Sequence, residues 1–213
     1  MQRIYERFHR YMATAIATTD LPAAFLAALT ANESGGSPDT SCFEPEIYER
    51  LKFVVTGQAA AFGSISLEDL VSAFDQNFQG RDQKFQTWLT VSRPGPEAAR
   101  IITKSEEEDL RAFATSWGLT QIMGYHVIGS RIALRDLVDP GSNYRHAVNL
   151  LTGFARHFGL SFGRDWEALF RCWNTGRPQG KTFDPEYVSK GLRRMNLYRQ
   201  LASAEDDSDY ENI

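Results

Sequence analysis

The stretch "ANESGGSPDTSCFEPEIYERL", Ala31 to Leu51, decides how the chain reads, because it sets a carboxylate where a helix meets its stop signal. Upstream, Phe25, Leu26, Ala28 and Leu29 recur at helical spacing. Leu26, Leu29 and Glu33 follow one another by steps of three and four, so Glu33 continues the apolar stripe and points inward or along the edge of a cleft. Asp20 is expected to cap this helix, with Leu21-Pro22 in its first turn and Gly35-Gly36 ending it. The negative end of the helix dipole disfavours a charge at that point. Ser34 to Phe43 reads as a turn-rich excursion with room for a short hairpin near 36–43. Helical periodicity resumes at Pro45, carried by Ile47, Leu51 and Val54 or Val55, and stops at Gly57.

Working outward, Ile4, Phe8, Tyr11, Met12 and Ile16 predict an amphipathic helix over residues 2–18. Further helices are expected at 67–78, in "QGRDQKFQTWLTV", in "TKSEEEDLRAFATSW" behind a Ser105 capping signal, at 144–158 after a loop around "DPGSN", at 165–174 and at 185–201. "SRPGPEAA" is a break. The expected class is therefore mainly α, in one domain over 1–203, with an acidic and disordered tail over 204–213.

The formal charge of −4 overstates the acidity of the body. Five of the 27 acidic residues (Glu205, Asp206, Asp207, Asp209, Glu211) lie in the last nine positions, and the rest oppose 23 basic residues with 22 acidic ones. A near-neutral body argues against a nucleic-acid surface. Two cysteines, Cys42 and Cys172, are too few for a disulfide framework; they read as two buried free thiols, with a single bridge as the alternative. His126 and His157 lie far from one another and from any acidic pair with ligand spacing, and neither a metal nor a cofactor is expected. No signal peptide and no apolar run of membrane-spanning length stands out, so a soluble chain without membrane insertion is expected.

Three polar, glycine-containing pieces interrupt otherwise apolar surroundings: "ANESGG" with "CFEPEIYERL", "ATSWGLTQIMG", and "LFRCWNTGRPQGKTFDPEYV". Their order resembles the lysozyme-like superfamily, where a catalytic glutamate ends a core helix in an E-S-G-G or E-S-x-x sequence and is followed by G-L-x-Q-I and then Y-N-x-G. The matching residues are Glu33-Ser34-Gly35-Gly36, Gly118-Leu119-Thr120-Gln121-Ile122 and Trp173-Asn174-Thr175-Gly176. Within that superfamily the chain looks most like bacterial and phage N-acetylmuramidases and, more loosely, soluble lytic transglycosylases. It departs at Trp173, where tyrosine is common, and at Glu46, where histidine is usual after F-E-P. Residues 57–103 match nothing in the pattern.

The resemblance implies a lysozyme-like helical domain that cuts the β-1,4 link between N-acetylmuramic acid and N-acetylglucosamine in peptidoglycan. Glycosidic cleavage needs an acid that stays protonated near neutral pH, and burial of Glu33 at a helix C-terminus supplies one, as in lysozyme. Glu44 is the first candidate for a second carboxylate and Asp39 the fallback; the opposing reading of Glu44 is a cap for the next helix or a partner of Arg50. Carboxyl separation would tell retaining from inverting chemistry, about 5–5.5 Å against roughly 6.5–9.5 Å. Gly118 and Gln121 are candidates for sugar contact, with Trp117 as an aromatic wall, Trp173 and Asn174 along the same cleft, and Ser34 donating a hydrogen bond or capping a turn. Trp173 cannot supply the hydroxyl that a tyrosine would offer the acid.

A lytic transglycosylase would use the same acid without a second carboxylate, so a solvent-facing Glu44 favours it. A non-catalytic glycan-binding or structural relative is the competing class, and chitinase- or chitosanase-like specificity stays open. Ser34 lacks a nucleophile elbow, and "TGRPQGKT" lacks phosphate-loop spacing and a preceding strand. With peptidoglycan as the partner and no export signal, the expectation is either delivery by other machinery, such as a phage lysis system or an effector-secreting apparatus, or a sequence that is one piece of a longer protein.

Overall fold

A computed structural model describes residues 1–77, 102, 104–130 and 132–210. The chain is mainly helical, with eight α-helices among the described residues: α1 (Gln2–Ile16), α2 (Ala23–Glu33), α3 (Pro45–Val55), α4 (Leu67–Asn77), α5 (Lys104–Phe113), α6 (Pro140–Phe158), α7 (Trp166–Thr175) and α8 (Tyr187–Tyr210). Short strands β1 (Ser41–Phe43), β4 (Thr115–Trp117) and β5 (Ile122–Met123) pair in the order β1-β4-β5, and β2 (Ala61–Phe62) pairs with β3 (Ile65–Ser66). The chain divides into two compact units, Met1–Thr40 with Trp117–Ile122 and Leu137–Ile213, and Ser41–Ser116 with Met123–Asp136.

In the first unit α2 is the core helix. Ala24 to Thr30 are all buried in it, so it is enclosed on every side, whereas α1 buries one stripe, Ile4, Tyr5, Phe8 and Met12. A helix buried all round needs apolar residues all round, which "AAFLAALT" supplies. Its main neighbours are α8 and α1. Phe25 stacks on Phe170 of α7 at 4.3 Å between ring centres, and Phe170 meets the Tyr187 ring edge-on at 6.2 Å. Gly191 makes room for that stack, since a Cβ there would stand 2.6 Å from the Phe170 ring.

The second unit packs α3, α4 and α5 around Leu51, Val54, Val55, Leu70, Phe74, Leu110 and Phe113. Ser66 and Asp69 cap α4 reciprocally: Ser66 N–H and Oγ donate to Asp69 Oδ2 at 2.8 and 2.7 Å, and Asp69 N–H donates to Ser66 Oγ at 3.2 Å.

Several local expectations are corrected. Asp20 does not cap α2; Pro22 is the N-cap, extended at ψ 140°, and no side chain caps the helix. No hairpin forms near 36–43. There β1 pairs with β4, distant in sequence, while the tight hairpin is β2–β3, in register Ala61↔Ser66. "DPGSN" is a helix start rather than a loop: Asp139 accepts from Ser142 N–H at 2.8 Å and Pro140 occupies the first turn, where its missing N–H costs nothing. Helix α8 continues past Leu201 to Tyr210. Both cysteines are free, but Cys42 is exposed and only Cys172 is buried. The helix expected in "QGRDQKFQTWLTV" and the break "SRPGPEAA" lie outside the described residues. No helix among the described residues is long and apolar enough to cross a membrane.

Candidate functional site

Glu33 is the last residue of α2. The helix ends there because Ser34 leaves helical geometry and Gly35 and Gly36 take φ of +62° and +89°, a region that favours glycine. Burial pushes the Glu33 carboxyl up from 4.5 to about 7, the desolvation outweighing the opposite pull of a hydrogen bond from Tyr187. That bond runs from the Tyr187 hydroxyl to Glu33 Oε1. Tyr187 is itself buried, and desolvation, with the neighbouring Glu33 charge added, holds its hydroxyl well above the usual range.

Asn32, one residue earlier, donates from Nδ2 to the Tyr187 main-chain carbonyl at 3.0 Å and accepts at Oδ1 from Arg194 Nη1. The site thus rests on α2 and the first two turns of α8.

The segment Trp117–Gln121 is fastened beside the end of α2 by side chains of the same unit. Ser34 Oγ donates to the Leu119 carbonyl at 2.7 Å. Buried Asn143 of α6 accepts at Oδ1 from Thr120 N–H and Oγ1 at 3.1 and 2.7 Å, and donates from Nδ2 to the Leu137 and Trp117 carbonyls at 2.8 and 3.3 Å. Trp173 Nε1 donates to the Thr120 carbonyl at 3.1 Å. Gln121, the one non-glycine described at positive φ (+54°), donates from Nε2 to the Thr40 and Gly118 carbonyls, both at 2.9 Å. Gly118 has φ +77°, and a Cβ there would stand 2.1 Å from the Leu137 carbonyl oxygen.

These contacts place the sequence candidates. Ser34, Gly118, Gln121 and Trp173 gather around one loop, and the bonds they make hold its shape. The close approach that Gly118 permits is to the backbone of Leu137. Trp117 is half-buried and Asn174, at the end of α7, is exposed. Asp39 is exposed. Glu44 belongs to the second unit and is exposed too; it precedes α3 without a side-chain capping bond, and Cys42 Sγ donates to its Oε1 at 3.8 Å. Arg50 lies over the Phe62 ring at 4.7 Å rather than against Glu44. Among the described residues no three of His, Cys, Asp and Glu gather to hold a metal ion.

Tyr187 was not singled out from the sequence, although it stands in "TFDPEYV" at the edge of the third piece. The absence of a tyrosine at 173 was a signal to look for a hydroxyl elsewhere. Asn32, Asn143 and Arg194 carry no such signal, since an amide or guanidinium in a helix is ordinarily a solvated face. Set against known protein families, characterised proteins and solved structures, the chain matches none.

Proposed function

We propose that the chain cleaves the β-1,4 bond between N-acetylmuramic acid and N-acetylglucosamine in peptidoglycan, with Glu33 as general acid. The observation that carries this reading is a carboxyl that keeps its proton to about pH 7, one of its oxygens engaged by the Tyr187 hydroxyl. A glycosidic oxygen is a poor leaving group until protonated. Glu33 gives its proton to that oxygen and the C1–O bond breaks, leaving an oxocarbenium-like centre at C1.

In the N-acetylmuramidase route, water adds to C1 and its proton returns to the protein, with Glu44 or Asp39 as the second carboxylate. Both are exposed, and that observation favours a second reading, the lytic transglycosylase route. There the substrate's own hydroxyl adds to C1 and returns its proton to Glu33, leaving an anhydro end. Trp117 and Asn174 are the side chains proposed to meet the sugars, with Ser34, Gly118, Gln121 and Trp173 shaping the loop beneath.

The test is digestion of purified peptidoglycan by wild type and Glu33→Gln, with product ends read by mass spectrometry. Reducing muramic-acid ends mean hydrolysis and anhydro ends mean transglycosylation. Equal release by the two proteins refutes the role of Glu33.

A further inference from the structure

The residue before the acid is bound into the same contact. We propose that Asn32 is a positioning residue whose amide, clamped to α8 at Tyr187 and Arg194, seats the Tyr187 hydroxyl on one oxygen of Glu33, leaving the other to carry the proton. Its place in catalysis rests on the reading just given; the clamp itself does not.

Tyr187 and Arg194 are seven residues apart on α8, two turns along one face. One side chain from α2 reaches both, donating to the Tyr187 carbonyl at 3.0 Å and accepting from the Arg194 guanidinium. Tyr187 is buried at 7% exposure, so once its backbone is held its ring has little freedom and the hydroxyl arrives at a set place. Consecutive residues on a helix point about 100° apart, so Asn32 and Glu33 reach α8 from different directions and both bear on Tyr187: Glu33 accepts from its hydroxyl, while Asn32 holds its carbonyl and also interacts with the phenol.

The chemistry calls for a neutral amide. The clamp gives a donor to the Tyr187 carbonyl and an acceptor to Arg194, and an amide offers both. Aspartate would lose the donor and set a second carboxylate beside Glu33. An apolar residue would leave the guanidinium without this acceptor and the Tyr187 carbonyl without this donor. A hydroxyl donating to Oε1 engages that oxygen, so the proton of the neutral acid resides on Oε2.

The experiment is a side-chain carboxyl NMR titration of Glu33 in the full chain, in wild type, Tyr187→Phe, Asn32→Ala and the double variant. Tyr187→Phe removes a bond that favours the carboxylate, so the midpoint rises, by about one pH unit, the scale of a hydrogen bond to a charged group. Asn32→Ala is expected to raise it in the same direction by a similar amount, and the double variant to show no more than Tyr187→Phe alone. An unchanged midpoint in Asn32→Ala, or shifts that add in the double variant, overturns the proposal. Should Asn32→Ala fail to fold, Arg194→Ala, which frees the far end of the clamp, takes its place; a midpoint equal to wild type is then the refuting result. The titration needs no substrate. A chain that shows these shifts yet cuts no peptidoglycan refutes the enzymatic reading and leaves the clamp standing, and an active chain without them does the reverse.

Discussion

Replacing Glu33 by glutamine is expected to make the protein more stable, by an amount that grows as the pH rises from 4.5 to about 7. The carboxyl is raised from 4.5 to about 7 by burial. Below pH 4.5 folded and unfolded chains are both protonated and the site costs nothing. Between 4.5 and 7 the unfolded chain releases a proton that the folded chain keeps, so the folded state binds more protons and stability falls as pH rises. Above 7 the charge must sit in the buried site, and the loss is complete. A rise of about 2.5 units at 1.36 kcal/mol each amounts to about 3 kcal/mol. Glutamine carries no charge and keeps an oxygen for the Tyr187 hydroxyl, so it escapes the penalty without vacating the contact. Urea unfolding of both proteins at pH 4, 6 and 8 measures it, since all other titrating groups cancel in the difference. The variant is expected to gain on wild type steadily across that range, by about 3 kcal/mol in all. A difference that stays flat with pH refutes the claim that Glu33 holds a strained charge.

Three further outcomes are expected. Bond cleavage needs the protonated acid, so turnover of peptidoglycan falls as pH passes upward through about 7, and a rate constant to pH 9 contradicts Glu33 as the proton donor. Gly118→Ala forces a side chain into φ +77° with its Cβ 2.1 Å from the Leu137 carbonyl; a loss of more than about 2 kcal/mol is expected in thermal or urea unfolding, against a few tenths for an ordinary surface substitution. A thiol reagent should label Cys42 in the native protein and Cys172 only after unfolding, with no change on prior reduction, because the two are free and only the second is buried.

How much of this was legible beforehand differs from element to element. The amphipathic stripe Ile4, Phe8, Met12 yields α1 almost to the residue, and the apolar run ending at Glu33 with two glycines behind it yields both α2 and the part-buried acid at its end. Asp20 misled because a capping residue reads alike whether or not the chain turns into the helix at that point, and here it turns at Pro22. "DPGSN" misled in the other direction, since proline and glycine signal a loop and also fill the first turn of a capped helix. The strand at 41–43 could not be paired from sequence, because its partner at 115–117 is more than seventy residues away and three residues carry no register.

The same distinction separates the acid from its surroundings. By itself, the sequence determined that the chain is mainly helical and that a carboxylate ends its most apolar helix, because both follow from spacing along one short segment and the dipole and burial that come with it. Only the tertiary structure decided which hydroxyl meets that carboxylate. Tyr187 lies 154 positions away, and its arrival depends on α8 packing along α2, Phe170 filling the space left by Gly191, and Asn32 gripping the helix at two points. It also decided that Gln121 and Trp173 hold a loop, since a side chain's hydrogen-bond partner is set by what the fold brings within about 3 Å, which residue type alone does not determine.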